Sequence, residues 1–413
     1  MNEVWEHISP YLIYLAIPLT SALVGWFTNV IAIKMTFYPL EFIGIKPYLG
    51  WQGIIPNKAV KMSTISVDLW TSKLISVKEL FSKIDPNKVA TEMRPEFNRI
   101  SKEIMDEIMD EQAPEVWSKV PSKIKKIIYS RISRDMPEIV SEMMSDIKEN
   151  IEEMFDIKDM VIKRLTTDKG LLNEMFMNCG KEEFKFIERS GFTFGFIFGI
   201  IQMIAWYLYP AYWILPLFGL LVGYATNWLA LKLIFQPIEP ISFLGVKYQG
   251  LFIKRQNNVS AEYAYMLAHD IFTFDRIFIS IINGPTKEKF IQLIIEHTNK
   301  AIDEAAGLSR PLITAVAGKR NYEKIKSIAT HKTIQELPQS IKPAFPYAEK
   351  AMDLEHIFRT RMQNLPPKDF VDFLRPVFQE DELKLIIVGA VLGMGAGFAQ
   401  LFLFLSTNSV PIY

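Results

Sequence analysis

Polar and apolar positions fall in long blocks along this chain. Residues Pro10 to Ile33 carry no charge, Gly191 to Leu231 is an uncharged run of 41 residues, and Leu385 to Tyr413 is again uncharged. A bilayer core takes about 20 apolar residues per helix. The 41-residue run therefore holds two spans, with a turn near Tyr209-Pro210, where proline cannot continue an unbroken hydrogen-bond ladder. The pattern predicts four spans, at roughly Pro10 to Thr36, Gly191 to Leu208, Ala211 to Phe235 and Leu385 to Ser406. A secretory signal peptide is the alternative for the first of them. It fits poorly, because Met1 to His7 carries Glu3 and Glu6 with no Lys or Arg, and the uncharged run exceeds a signal-peptide core.

The two segments between the spans, Phe37 to Ser190 and Gln236 to Lys384, are about 150 residues each and read as helical. Phe97, Ile100, Ile104, Met105, Ile108 and Met109 share one helical face. Val140, Met143, Met144, Ile147, Ile151, Met154 and Phe155 follow a near-heptad spacing. Phe290, Ile291, Ile294, Ala301, Ile302 and Ala305 repeat the pattern in the second segment. Pro86, Pro114, Pro121 and Pro137 punctuate the first segment; Pro285, Pro311, Pro338 and Pro366-Pro367 punctuate the second. No sustained alternation argues for a sheet. The stripes are expected to form helix–helix core. The sharper reading leaves one of them, with its Met143-Met144 and Met154 face, exposed to a partner helix or a lipid surface.

Charge adds an orientation. All 46 Lys and Arg lie from Lys34 to Arg189 or from Lys232 to Lys384. The positive-inside rule then puts both charged segments in the cytoplasm and both termini outside, in a multi-pass cell-membrane protein. The first segment holds 24 basic and 26 acidic residues and the second 20 and 18. With 46 basic against 46 acidic residues overall, there is no electrostatic reason to bind nucleic acid.

The chain also repeats itself at a spacing of 198. Leu-Val-Gly-Trp-Phe-Thr-Asn-Val-Ile-Ala-Ile-Lys-Met-Thr-Phe-Tyr-Pro-Leu-Glu begins at Leu23. Leu-Val-Gly-Tyr-Ala-Thr-Asn-Trp-Leu-Ala-Leu-Lys-Leu-Ile-Phe-Gln-Pro-Ile-Glu begins at Leu221. In register are Gly25 and Gly223, Thr28 and Thr226, Asn29 and Asn227, Ala32 and Ala230, Lys34 and Lys232, Phe37 and Phe235, Pro39 and Pro237, Glu41 and Glu239, and upstream Pro18 and Pro216. Gly191, Gly195, Gly199 and Gln202 recur as Gly389, Gly393, Gly397 and Gln400. Trp51-Gln52-Gly53 recurs as Tyr248-Gln249-Gly250 after a slip of one residue. Agreement at both ends indicates a whole-unit duplication, with repeats at 1–205 and 206–413, each built as span, cytoplasmic segment, span. Two units running in the same direction predict a pseudo-two-fold axis along the membrane normal. The expected fold class is thus an all-α membrane protein: about four transmembrane helices in two parallel repeats, with helical cytoplasmic segments.

The Gly-x-x-Thr-Asn-x-x-Ala-x-Lys-x-x-Phe-x-Pro block follows a span in both halves. Leu-Arg-Pro-Val-Phe-Gln-Glu-Asp-Glu, from Leu374 to Glu382, precedes a Gly-rich last span. Together they resemble an uncharacterised family of bacterial multi-pass membrane proteins built on a domain of unknown function, over nearly the whole chain. The resemblance implies a cell-membrane location and brings no reaction, ligand or catalytic residue.

Candidate sites follow from the repeated block. Gly25, Thr28, Asn29 and Ala32 fall on one helix face, and so do Gly223, Thr226, Asn227 and Ala230. An unpaired amide is costly in lipid, so each Asn is expected to face protein or water. One reading is a small-residue packing face with the Asn bonded across. The other is a polar pocket lined by Asn29, Asn227, Gln202 and Gln400. Lys34 and Lys232 sit where a long side chain reaches the cytoplasmic interface. They anchor the spans there, or hold a lipid phosphate beside Lys46 or Lys247. The glycine ladders at Gly191, Gly195, Gly199 and Gly389, Gly393, Gly397 allow close helix approach. They predict that the second and fourth spans cross, or that the chain self-associates. Gly393-x-Gly395-x-Gly397 lies inside an apolar span with no strand before it, which excludes a dinucleotide loop.

No enzyme motif is found: no His-Glu-x-x-His, Walker loop or Gly-x-Ser-x-Gly. A single Cys, Cys179, excludes an internal disulfide and a multi-Cys zinc site. His269, His297, His331 and His356 have no metal-ligand spacing, and pairs such as Glu152-Glu153 lie in charged helical stretches. The expectation is no cofactor and no metal. The bilayer is the expected partner, with a protein partner or a second copy beside it. A membrane-anchored scaffold or tether is the leading expectation and a transporter or channel for a small solute or lipid the second. A membrane enzyme built from scattered acidic residues is a third.

Overall fold

The structure, a computed structural model, describes residues 2–45, 49–243, 245–306, 319–375 and 382–406. It is overwhelmingly helical, as the apolar periodicities predict. Among the described residues four helices are long and apolar enough to cross a membrane: Asn2–Phe37, Lys181–Leu208, Ile214–Phe235 and Glu382–Ser406. The second ends at Leu208, where the Tyr209 amide still reaches the Ala205 carbonyl at 3.0 Å and Pro210 has no donor to offer. The third starts at Ile214 and carries Pro216 in its first turn, where a missing donor leaves no bond broken.

The chain divides into two compact units. The first comprises Met1–Ser66, Leu165–Tyr263 and Arg359–Tyr413; the second comprises Val67–Arg164 and Ala264–Phe358. Neither coincides with the sequence halves 1–205 and 206–413, because each draws segments from both.

The first unit contains the four apolar helices. The first packs against the second and the third against the fourth, and further contacts join the first to the third and fourth and the second to the third. Large apolar side chains point outward at helical spacing: Leu15, Leu19, Leu23 and Phe27 on the first helix, Ile197, Ile201 and Ile204 on the second. Small and polar residues point inward. Such an arrangement is inverted relative to a water-soluble bundle and suits hydrocarbon surroundings. Near the turn between the second and third helices, Ile17, Trp206, Ala211, Ile214 and Leu215 form a buried cluster.

Two hairpins interrupt the helical pattern. Strands β1 (Ile43–Ile45) and β2 (Leu49–Trp51) pair antiparallel just after the first apolar helix. Strands β3 (Ile241–Phe243) and β4 (Val246–Tyr248) do so just after the third. Three-residue strands are too short to show alternation, so the pattern gives no sign of them.

In the second unit, helix Arg94–Gln112 packs against Ser122–Met154 and Lys319–Ser340, and Lys287–Ala306 packs against both of those. Met143, Met144, Ile147, Ile151 and Met154 are buried, which makes that stripe helix–helix core rather than an exposed face. Trp70 meets Phe272 edge to face and Phe272 stacks on Phe358, with ring centroids 5.8 and 5.5 Å apart. Pro86 and Pro114 open helices, whereas Pro137 and Pro338 lie inside longer ones instead of ending them. Arg99 ties two helices together, donating to Glu96, Glu103, Glu336 and the Ser340 hydroxyl at 2.7–3.0 Å.

Candidate functional site

The repeated block and the glycine ladders meet in the first unit, where they form the contact between paired apolar helices. Gly191, Gly195 and Gly199 face the first helix, at Gly25, Ser21 with Ala22, and Pro18 respectively. Gly389, Gly393 and Gly397 face the third, at Gly223, Gly219, and Leu215 with Pro216. Residue number rises along one helix as it falls along the other, so each pair is antiparallel. A Cβ at Gly195 would stand 2.5 Å from the Ser21 carbonyl oxygen, and one at Gly199 2.6 Å from Pro18 Cα. Only glycine admits backbones this close. The ladders of the second and fourth helices therefore pack on the first and third; of the two arrangements the spacing suggests, a crossing of the second and fourth helices or self-association, the glycines do not make the crossing.

Each Asn sits one turn beyond its glycine contact and bonds across the same helix pair. Asn29 Nδ2 donates to the Ile187 carbonyl at 2.6 Å, and Asn227 Nδ2 to the Leu385 carbonyl at 2.9 Å. Both bonds link residues 158 apart. Asn29 Oδ1 and Asn227 Oδ1 are buried and have no hydrogen-bond partner among the described residues. Thr28 and Thr226 turn their hydroxyls back onto the Gly25 and Val222 carbonyls of their own helices at 3.1 and 2.8 Å. Ala32 and Ala230 are buried.

The two Gln residues lie elsewhere. Ser21 Oγ donates to Gln202 Oε1 at 2.8 Å, Gln202 Nε2 to Gln400 Oε1 at 3.2 Å, and Gln400 Nε2 to Thr20 Oγ1. This relay joins the first, second and fourth helices. Ser21 and Asn29 are eight residues apart on one helix, about 12 Å at 1.5 Å per residue. The bonded Gln pair thus stands apart from Asn29, and each Asn bonds within its own helix pair. Thr20 and Ser21 escaped the sequence reading, although Ser21 lies one helical turn before Gly25 on the same small-residue face.

Comparison of the chain with protein-family models, with curated proteins and with solved structures finds no match.

The space around these groups is small. A cavity of about 20 Å³ is lined by Ala32, Thr36, Phe184, Asn227, Leu231 and Leu385, among others, the volume of roughly one water. A roomier cavity of about 240 Å³ lies beside Trp228, Lys232, Arg375 and Glu382. Lys232 is exposed, and its ammonium stands 4.6 Å from the Trp228 ring centroid. Lys34 is exposed as well. Lys247 is exposed on β4, and Lys46 falls outside the described residues, as does 376–381 of the Leu374 to Glu382 motif.

Two further groups bear on chemistry. Glu183, buried in the first turn of the second apolar helix, accepts through both carboxylate oxygens from the single Arg255 Nη1, at 2.8 and 2.9 Å. Cys179 is buried, and burial pushes its thiol well above the ordinary range, with Glu262 and Glu183 adding in the same direction. Such a thiol is a poor nucleophile. Among the described residues no group of His, Cys, Asp and Glu could hold a metal ion.

Proposed function

We propose that this is a cell-membrane protein built from two parallel copies of one span–segment–span unit, serving as a membrane-anchored scaffold or tether. In this reading both charged segments are cytoplasmic and each contributes its middle part to the helical second unit, and both termini lie outside. The family resemblance of the duplicated block belongs to the same reading. The observation that carries it is the use of the polar side chains in the apolar helices. Asn29, Asn227, Ser21, Gln202 and Gln400 are spent on bonds between helices, and the cavity beside Asn227 has room for about one water. A path for a solute needs polar groups turned to open space.

The second unit supplies a surface for a partner. Val116, Ile124 and Ile127 are 60%, 48% and 65% exposed, amid Lys123, Lys125 and Lys126. The test is site-specific photo-crosslinking in native membranes from position 124 or 127. One defined adduct is expected, and it should vanish with Val116→Asp/Ile127→Asp while the protein stays membrane-bound and monodisperse. Reconstituted vesicles should show no flux above empty ones. Flux that Asn29→Leu/Asn227→Leu abolishes in a folded protein would establish the transporter instead. The unpartnered Asn29 and Asn227 oxygens favour that second reading.

A further inference from the structure

The two hairpins carry more exposed apolar surface than their size warrants. In β1–β2, Ile43 pairs with Trp51, Gly44 with Gly50 and Ile45 with Leu49. Directly paired residues share a face, so Ile43, Ile45, Leu49 and Trp51 lie on one side of the ribbon. Phe42 covers the other side, its ring lying against Gly50. Trp51 turns into the protein, donating from Nε1 to the Met35 carbonyl at 3.3 Å and packing against Ala32, Ile54 and Leu385. The other three do not: Ile43, Ile45 and Leu49 are 67%, 74% and 72% exposed. In β3–β4, Ile241 pairs with Tyr248 and Ser242 with Lys247, which puts an apolar pair on one face and a polar pair on the other. Ile241 and Tyr248 are exposed too.

These ribbons are fixed to the ends of the apolar helices. The Gly53 amide donates to the Pro39 carbonyl and the Gly250 amide to the Pro237 carbonyl, each at 2.9 Å. Gln52 and Gln249 clamp the same corners through Leu40 and Ile238 at 2.7 and 2.9 Å. A Cβ at Gly53 would stand 2.7 Å from the Phe37 carbonyl carbon, so the ribbon returns onto the helix terminus it left. The first and third helices run the same way, because each is antiparallel to the second: the first through the glycine contacts, the third because only residues 209–213 join two helices that pack on each other. Both hairpins therefore sit at one end of the four-helix group. Exposed Leu19, Leu23, Trp26 and Phe27 of the first helix are followed along the chain by exposed Tyr38, Ile43 and Ile45. Tyrosine at such a junction matches the interfacial belt of membrane proteins.

We propose that the two hairpins insert into the headgroup–acyl boundary of a single leaflet, with Ile43, Ile45, Leu49, Ile241 and Tyr248 against lipid. Lys247, on the polar face of β4, meets the phosphate layer. The proposal rests on the four apolar helices spanning that bilayer. The hairpins then act as paired collars that set the depth and rotation of the first and third spans.

The full-length protein in vesicles of phosphatidylcholine and phosphatidylglycerol tests this. Ile45→Cys and, separately, Leu49→Cys are labelled with an environment-sensitive fluorophore; buried Cys179 stays unlabelled in the native protein. Leu19→Cys, on the outward face of the first helix, and Lys119→Cys, exposed in the second unit, serve as controls. Lipids with a nitroxide high on the acyl chain should cut emission at positions 45 and 49 by about half, while aqueous iodide has little effect there and quenches position 119. Iodide quenching at 45 and 49, with position 19 still quenched by lipid, overturns the proposal and leaves the spans intact. Protection from both quenchers overturns it as well, since protein would then cover the face. Failure at position 19 removes the membrane reading itself.

Discussion

Gly393 and Gly395 lie two residues apart on the last apolar helix, and their surroundings make opposite demands on a methyl group. A Cβ at Gly393 would overlap the Gly219 carbonyl oxygen and stand 3.2 Å from Gly223 Cα, both backbone of the facing helix. A Cβ at Gly395 would meet nothing within 4 Å. Backbone cannot rotate aside, so Gly393→Ala must push the third and fourth helices apart. A radial gap of about 0.5–1 Å already forfeits a quarter to a half of each dispersion contact along the seam. Over-packing of this kind costs about 1–3 kcal/mol. Alanine's better helix propensity returns about 0.5–1 kcal/mol at either position. The expected outcome is a net loss centred on about 1 kcal/mol and reaching about 2.5 kcal/mol for Gly393→Ala, and no loss or a small gain for Gly395→Ala. Reversible unfolding in mixed micelles, followed by circular dichroism, reads both. Equal losses at the two positions would refute the reasoning, because only one of them touches the neighbouring helix.

Gln400→Leu should cost about 1–3 kcal/mol by leaving buried Gln202 Nε2 without its acceptor. The double variant Gln202→Leu/Gln400→Leu should cost less than the sum of the singles, since Ser21 can turn to its own helix carbonyls as Thr20 does; strict additivity in the unfolding cycle would argue against the relay. The Arg99 guanidinium holds the Glu336 carboxyl below its ordinary value of 4.5. A lowered folded value means this stabilisation is complete above about 4.5 and is lost as pH falls through the native value. Glu336→Gln should therefore unfold at lower temperature at neutral pH, its melting curve converging with the parent's in acid; parallel curves down to pH 3 would contradict the pair. Cys179 should resist maleimide in the native protein and react on unfolding, as its raised thiol and burial require; rapid native labelling would show that the helix around it opens.

Much of the membrane unit was readable from the chain. Missing charge located the four apolar helices to within a few residues at most ends, and Pro210 located the break between the middle two. The second helix begins ten residues before its uncharged run, because Lys181 to Ser190 continues the same helix with Glu183 paired to Arg255. What the repeat could not reveal was contact. An offset of 198 relates equivalent residues, not neighbours, so it left open which helix each glycine ladder faces. Spacing within one half held that information: Gly25 and Gly191 meet, as do Gly223 and Gly389. The hairpins were hidden because three-residue strands bearing Gly44 and Gly50 have too little alternation to register. The relay from Ser21 to Thr20 was hidden because hydroxyl residues in an apolar run usually bond to their own helix.

The interleaving of the two units has a consequence for biosynthesis. Arg99 leaves the ribosome long before Glu336, its partner 237 residues later. At about 5–20 residues per second, that interval is on the order of ten to fifty seconds. Throughout it, the stripe from Phe97 to Met109 has no Lys319–Ser340 helix to close over it. A nascent chain arrested after its first half could cover this stripe only with the Ser122–Met154 helix and would leave the side that meets Lys319–Ser340 open to solvent, which makes the early segment a natural client for holding chaperones.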